Sequence, residues 1–437
     1  MNGSSSPDPE AGTASRQNFI PGMCVDGKSG QLTEAPGLSV IFEPVRVTAG
    51  TVIRPLKGDP VRIRCYSPVI RPELIHTYTY DPDANYTTFV PDAFPEAFSP
   101  DAVKLPEEGY IRIELQGITD DPLTERVAIV SRGSEQPETY KTFPGAEQRI
   151  IKKINALREE PDTLLLLLSD THYGCGCNFE QTAACIRSLA EKVHPDALIH
   201  LGDLTDGSLP RAWTEKYARR VISGLKHACS PCYFLIGNHD HNYFRGNPDL
   251  FTRQQCEKLY LDGEPENRII DLKEKRLRLI FISSFDPEEK HRYGFRPETV
   301  CFLIRAVMTA PRGSRLIIFS HVPPLGEIHY WDRNIRNAGC IVRILECAQK
   351  IRGNILAFIH GHNHCDQVYT RRSFPIIGIG ASKLEDFQDK KPEGSVTYPR
   401  NQYDETAILF DLLLIKNREL CFLRCGAGED RTVHAEL

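Results

Sequence analysis

The chain has 437 residues, 41% of them hydrophobic and 25% charged, a composition that suits two or three globular domains at roughly 150 residues each. Fifty-three basic against 58 acidic side chains leave a net charge of −5, which excludes a broadly basic, nucleic-acid-coating surface. The longest apolar run, Leu164 to Leu168, falls far short of the roughly 18–20 residues that cross a bilayer.

In chain order, the polar opening Met1 to Gly22 has neither the basic start nor the apolar stretch of a secretory signal, so the expectation is a cytoplasmic protein with reduced cysteines. Residues 1–35 offer little apolar surface and are expected to be disordered. Over 36–132 short alternating runs are separated by turn residues, as in Val61 to Cys65 and Tyr110 to Leu115, with Leu74 to Tyr80 and Arg126 to Val130 as further strands. Period-two patterning of this kind predicts a small all-β sandwich domain. Its aromatic stretch His76 to Tyr80 could offer a glycan-binding face, although sheet packing is the simpler reading. Seventeen of the 31 prolines fall before residue 151, and 133–160 reads as a linker and connector helix, with Ile150, Ile154 and Leu157 on one face.

Over residues 161–425 the texture changes. Apolar runs suited to strands covered on both faces occur at Leu164–Leu168, Ala197–Leu201, Cys232–Ile236, Leu277–Ile282, Leu316–Phe319, Ile355–Ile359 and Pro375–Ile379. Amphipathic helical periods lie between them, at Phe179–Val193, around Trp213 to Leu225 and from Ile341 to Ile351 before Gly353. That alternation predicts an α/β domain. Thr406–Ile415 and Glu419–Arg424 read as a closing hairpin, and 426–437 as an unassigned tail.

Five strands of this domain run into polar clusters: Ser169-Asp170-Thr171-His172, Gly202-Asp203, Gly237-Asn238-His239-Asp240, Ser320-His321 and Gly361-His362-Asn363-His364. Loops at the carboxyl ends of strands in an α/β sheet can converge on one point. Asp and Asn oxygens with His nitrogens suit manganese, iron or zinc. A single strand-end histidine, such as His200, is ordinarily a structural residue, whereas five ordered clusters by chance are not expected.

The series Asp-x-His, Gly-Asp, Gly-Asn-His-Asp, His, Gly-His-x-His resembles the calcineurin-like metallophosphoesterase superfamily, over about residues 162–382. The resemblance implies a four-layer α/β/β/α sandwich and a hydrolase of phosphate monoesters or diesters. It further implies two divalent or trivalent transition-metal ions (Mn, Fe or Zn). Asp170, His172 and His364 would hold the first ion, Asn238, His321 and His362 the second, and Asp203 would bridge both. His239 would be the histidine beside the substrate and Asp240 the acid that orients it. Two cations about 3.5–4 Å apart clamp phosphoryl oxygens and acidify a bridging water, so that hydroxide is the nucleophile at neutral pH. His239 could then protonate the leaving oxygen.

The expected partner is a small phosphorylated substrate. A nuclease would share this chemistry, but nucleic acid is disfavoured by the acidic balance and the lack of a basic stripe interleaved with aromatics. The reading from another class is a glycan-binding protein with an inert phosphoesterase domain, which the full ligand set argues against. Cys175/Cys177 and Cys229/Cys232 lack a second pair at zinc-ribbon spacing. Cys65, Cys301 and Cys421 read as buried thiols, and packing is also the simpler reading for Cys365. Arg245, Arg292 and Arg400 are weak candidates for phosphate contact. Leu325 to Asn337, with His329, Tyr330, Trp331 and Arg333, follows a ligand motif and is placed to shape specificity.

Overall fold

The structure is a computed structural model that describes residues 18–25, 32–41, 45–47, 51–55, 61–66, 86–89, 98–99, 102–104, 109–130, 143–173, 179–207, 211–244, 247, 249–331, 333–383, 391–401 and 404–435. Chain contacts divide it into two compact units, 1–141 and 142–437.

The described strands of the first unit are all antiparallel and form two sheets. One runs Phe19–Val25, Leu32–Ile41, Gly109–Gln116, Val61–Tyr66, Tyr86–Phe89, with Val45–Val47 also on Gly109–Gln116. The other runs Val127–Val130, Val52–Pro55, Ala102–Lys104, Phe98–Ser99. A small all-β unit is what the alternating runs call for. In the central strand, however, Arg112 and Glu114 are buried along with Ile113 and Leu115, so both of its faces are covered. One expectation fails. Residues 19–25 and 32–35, read as disordered, are strands: Phe19 pairs with Ile41 and Ile20 with Val40, and all four side chains are buried. Few as they are, Phe19, Ile20 and Met23 supply enough apolar surface to dock a strand beside Leu32–Ile41. The segments 67–85 and 131–142, which include His76 to Tyr80, lie outside the described residues.

The second unit begins with the helix Pro144–Leu157, which packs against the strand Glu419–Gly426 and the helix Phe179–Val193. Pro144 sits in its first turn, where a missing N–H costs nothing. Two sheets follow. In the first, Cys232–Phe234, Ala197–His200 and Thr163–Leu168 are parallel, and Leu409–Lys416, Glu419–Gly426 and Arg431–His434 continue antiparallel. In the second the order is Arg268–Leu272, Leu277–Phe281, Arg315–Ser320, Ile355–His360, Ile376–Gly378, Asp366–Tyr369, Ser395–Val396. Leu165, Leu167 and Leu413 of the first sheet share one core with Phe281, Phe319 and Ile359 of the second, so the sheets are stacked. On the far face of the second sheet, the helices Pro297–Met308 and Ala338–Arg352 bury Leu303, Val307, Ile341 and Leu345 against Ile318 and Phe358. The result is the four-layer α/β/β/α sandwich.

The tail left unassigned contains the strand Arg431–His434, which pairs with Glu419–Gly426 and buries Val433. Cys301, expected inside, is exposed on its helix, while Cys421 is buried. The helical stripe of Pro297–Met308 faces the sheet with Leu303 and Val307, which leaves Cys301 on the outer side. Among the described residues no helix is long and apolar enough to cross a membrane.

Candidate metal centre

Parallel register places the strand ends side by side: Leu168 pairs with His200, His200 with Phe234, and Ser320 with His360. The five polar clusters therefore leave neighbouring strands at the same edge. Asp170, His172, Asp203, His362 and His364 all have positive φ, between 42° and 64°. Non-glycine residues enter this region at a cost, and such strain collects at functional sites. Backbone bonds between the loops hold it. The Asp170 N–H donates to Gly202 O at 3.0 Å, the His172 N–H to Asp203 O at 3.0 Å, and the Gly361 N–H to His321 O at 3.1 Å. Side chains join in, with the His362 N–H donating to Asp170 Oδ2 at 3.0 Å and the His239 N–H to Asp203 Oδ1 at 2.8 Å. Gly202, at φ +105°, must stay small, because a Cβ there would lie 2.7 Å from Gly237 N and 2.8 Å from His321 Nδ1.

Among the described residues three sets of potential metal donors gather here, one of them His172, Asp206 and His239, and the other two share Asp203. Of these two, the first gathers Asp170, His172, Asp203 and His364, and the second Asp203, His321 and His362. In the first, His364 Nε2 stands 3.2 Å from Asp170 Oδ1 and 3.3 Å from His172 Nε2. In the second, His321 Nδ1 bonds Leu201 O at 2.9 Å, and a carbonyl can only accept, so that nitrogen carries the proton. Its Nε2 then meets Asp203 Oδ2 at 3.2 Å, Asn238 Oδ1 at 3.1 Å and His362 Nδ1 at 3.2 Å. The Asn238 amide is oriented by Nδ2 donating to Tyr243 Oη at 3.0 Å. Lone pairs crowded on one point need either a proton or a cation between them. The donor set therefore fits a transition metal in each position. Asp203 Oδ2 also lies 3.5 Å from His172 Nε2, so one carboxylate oxygen faces both sets.

The electrostatics agree. Burial raises the pKa of Asp170 and Asp203, yet the surrounding histidines (His364 first for Asp170, His321 first for Asp203) outweigh it and hold both far below the carboxylate range. Burial lowers the pKa of His321, but the charge of Asp203 and the hydrogen bond to it raise it to about 9. Burial keeps His172 down at about 4, with the charge of Lys383 adding to it.

His239 and Asp240 are both at the site, but not as a pair. His239 Nδ1 donates to Asp206 O at 2.7 Å, and its ring stacks on Phe244 at 4.6 Å. The Asp240 carboxylate turns away, accepting from the Gly237 N–H at 2.9 Å and the Thr205 N–H at 3.0 Å. It sits behind the loops as a buttress, because consecutive residues of the short helix His239–His241 cannot point the same way. Burial, and then the charge of Asp203, raise the Asp240 pKa to about 8.

Sequence reasoning missed Asp206, whose Oδ1 lies 3.7 Å from His172 Nδ1. It also missed Lys383, buried where its N–H meets Asp170 O at 3.1 Å. Neither belongs to a spaced motif. His200 is structural, as expected: its Nδ1 accepts the Gly202 N–H at 3.2 Å, and its Nε2 lies 2.8 Å from Thr171 Oγ1. Arg400 does not face the site, because its guanidinium is spent on the carbonyls of Thr406, Ala381, Lys383, Ser382 and Ala407. Arg292 donates to Pro287 O at 3.0 Å. Arg245, Cys175 and Cys177 lie outside the described residues.

Residues 163–366 match the family model of the calcineurin-like phosphoesterases. This part of the chain belongs to that family, and the enzyme is a metallophosphoesterase, a hydrolase of phosphoric esters. Curated relatives include the UDP-2,3-diacylglucosamine hydrolases of Yersinia pestis bv. Antiqua (strain Angola) and Yersinia pseudotuberculosis serotype O:3 (strain YPIII). Each is 24% identical over 190 residues, covering 41% of this chain and 73% of the relative. Among solved structures, a dimetal phosphatase from Danio rerio aligns with 63% of this chain and all of its own, at 16% identity and a TM-score of 0.41. The purple acid phosphatase PPD1 of yellow lupin covers 90% of this chain and 74% of its own, at 11% identity and a TM-score of 0.41.

Proposed function

We propose that the second unit hydrolyses small phosphate esters with two transition-metal ions, of manganese, iron or zinc. Asp170, His172 and His364 would hold one ion, Asn238, His321 and His362 the other, and Asp203 would be shared by both. The observation that carries this reading is the single oxygen Asp203 Oδ2, 3.5 Å from His172 Nε2 and 3.2 Å from His321 Nε2. Two cations held by these residues would supply the charge that clamps phosphoryl oxygens and the acidity that makes hydroxide available near pH 7.

The chain's own groups do the rest. Asn238 contributes an oxygen without a further negative charge, and Tyr243 fixes which amide atom faces the site. His321 is oriented by Leu201 O, so its other nitrogen presents a lone pair inward. His239 has Nδ1–H committed to Asp206 O, which leaves Nε2 as the atom to hand a proton to the departing oxygen. The Yersinia relatives are named for a uridine nucleotide ester, which makes nucleoside phosphates a natural part of a substrate panel.

The test is to strip the protein of metal, reload it separately with Mn, Fe and Zn, and assay phosphomonoesters, phosphodiesters and single-stranded DNA. Hydrolysis of small esters should return on loading and vanish on chelation. A protein holding two ions per chain that cleaves none of them would overturn the reading, and cleavage of DNA alone would make it a nuclease.

A further inference from the structure

The loop after His321 is stitched to the loop that carries His362 and His364. Asn363, between those two histidines, donates through Nδ2 to Ile328 O at 2.7 Å and accepts at Oδ1 from the Tyr330 N–H at 3.1 Å. Trp331 Nε1 donates to His362 O at 3.1 Å, and the indole meets the His364 ring edge-on at 6.2 Å between centroids. Yet Trp331 is 39% exposed. An indole held by its N–H to the backbone of a metal-facing residue, and packed edge-on with Tyr330 at 4.4 Å between centroids, has a fixed orientation while keeping part of its surface in solvent.

A cation stands beside it. Lys391 Nζ donates to Asn363 O at 2.7 Å, and lies 4.2 Å from the centre of the Tyr330 ring and 5.7 Å from that of Trp331. The ammonium is thereby fixed at the outer side of the same loop, by a carbonyl and by ring faces that attract positive charge. Nothing in the packing of the sandwich requires this arrangement. The core of the second sheet is closed by Leu325, Ile328 and Ile335 of the same segment, whereas Tyr330 is half-buried and Trp331 exposed.

We propose that Trp331 and Lys391 form a recognition site at the rim of the metal centre for the nucleoside diphosphate class of ligand, with the base stacked on the indole and the second phosphate on the ammonium. The proposal deepens the phosphoesterase reading and rests on it for the position of the first phosphate. An aromatic face and a fixed cation, side by side and next to a site for one phosphate, match a ligand that carries a planar ring and a further anionic group. Stacking tolerates any base, because each has a π-face. An ammonium acts on phosphate as a compact charge.

The test uses the metal-loaded full chain and three probes: ribose 5-phosphate, AMP and ADP. Affinities are measured by calorimetry, and KM and kcat wherever a probe is turned over. AMP should bind about tenfold or more tighter than ribose 5-phosphate, and ADP tighter again. Trp331→Ala should collapse the step from ribose 5-phosphate to AMP, and Lys391→Ala the step from AMP to ADP. Trp331→Phe keeps a ring and should retain most of the first step. It leaves Trp213 as the only indole in the sequence, so AMP should quench the fluorescence of the unaltered protein but not that of this variant. Equal affinities for ribose 5-phosphate and AMP would overturn the proposal. So would a loss in Trp331→Ala shared equally by both probes, which would mark the indole as a support for the His362 loop alone. If no ester is hydrolysed by the loaded protein, the phosphoesterase reading fails, while the binding ladder still decides the rim site.

Discussion

His239, the proposed acid, is held in place from two sides. Its Nδ1 is bonded to Asp206 O and its ring is wedged between Phe244 and His172, at 4.6 Å from each. His239→Ala should therefore leave the metal content intact and lower turnover by roughly 10²–10⁴ for esters with poor leaving groups. The loss should shrink for p-nitrophenyl phosphate, whose leaving group needs little protonation, and equal losses on both would deny His239 the role of acid. His321 makes a different claim. With its pKa raised to about 9, against 6.5 ordinarily, its proton stabilises the metal-free fold fully below pH 6.5, and that stability is lost as the pH rises through 9. Metal-free protein should accordingly lose melting temperature between pH 6.5 and 9, and metal-loaded protein, with a cation in place of the proton, should not. Parallel melting curves would contradict the assignment. The residue types at this site were legible because each stands at the end of an apolar run. Their left-handed backbone was not, since no side-chain pattern announces it. The expected His239–Asp240 pair failed because adjacency in sequence says nothing about direction in a short helix.

At the scale of elements, the closing hairpin does more than finish a sheet. Arg424, buried, binds Asp411 on the neighbouring strand at 2.8 Å and reaches the second sheet at Asp366, also at 2.8 Å. Arg431, from the strand read as a tail, binds Asp411 as well, at 2.6 Å. Asp366 comes two residues after His364 and accepts the Gly380 N–H at 2.9 Å, so this buried network ties the histidine loop to the chain's last strands. Removing one partner strands the others without compensation, at a cost of about 3–5 kcal/mol. Arg424→Met should thus lower the melting temperature by on the order of 10 °C, and a drop of only about 2 °C would show that the network is not load-carrying for the fold. Individual strands could be read from their apolar runs. Their order could not, because Thr163–Leu168 pairs with Leu409–Lys416, from the far end of the chain. The short strands Asp366–Tyr369 and Ser395–Val396 carry no run at all.

At the scale of the molecule, the residues proposed to hold metal all come from the second unit, 142–437. Its first helix is anchored within that unit, with Glu147 accepting from Ser188 Oγ at 2.7 Å and Lys192 Nζ at 2.9 Å. A chain starting near Thr139 should therefore fold, bind metal and cleave a small chromogenic ester at close to the full rate. Soluble, metal-loaded and inactive protein would instead mean that the first unit completes the site. That two units exist was legible from the concentration of proline in the first part of the sequence and the change from alternating to continuous apolar runs after it. The strand Phe19–Val25 was not, because a few apolar side chains in a polar stretch reveal their partner only once Leu32–Ile41 is beside them. The central claim is that Asp203 joins two metal positions into one centre. Elemental analysis of the purified protein beside Asp203→Ala tests it most directly: close to two transition-metal ions per chain in the first, and both occupancies reduced together in the second. One tightly held ion that survives the substitution would contradict the dinuclear account.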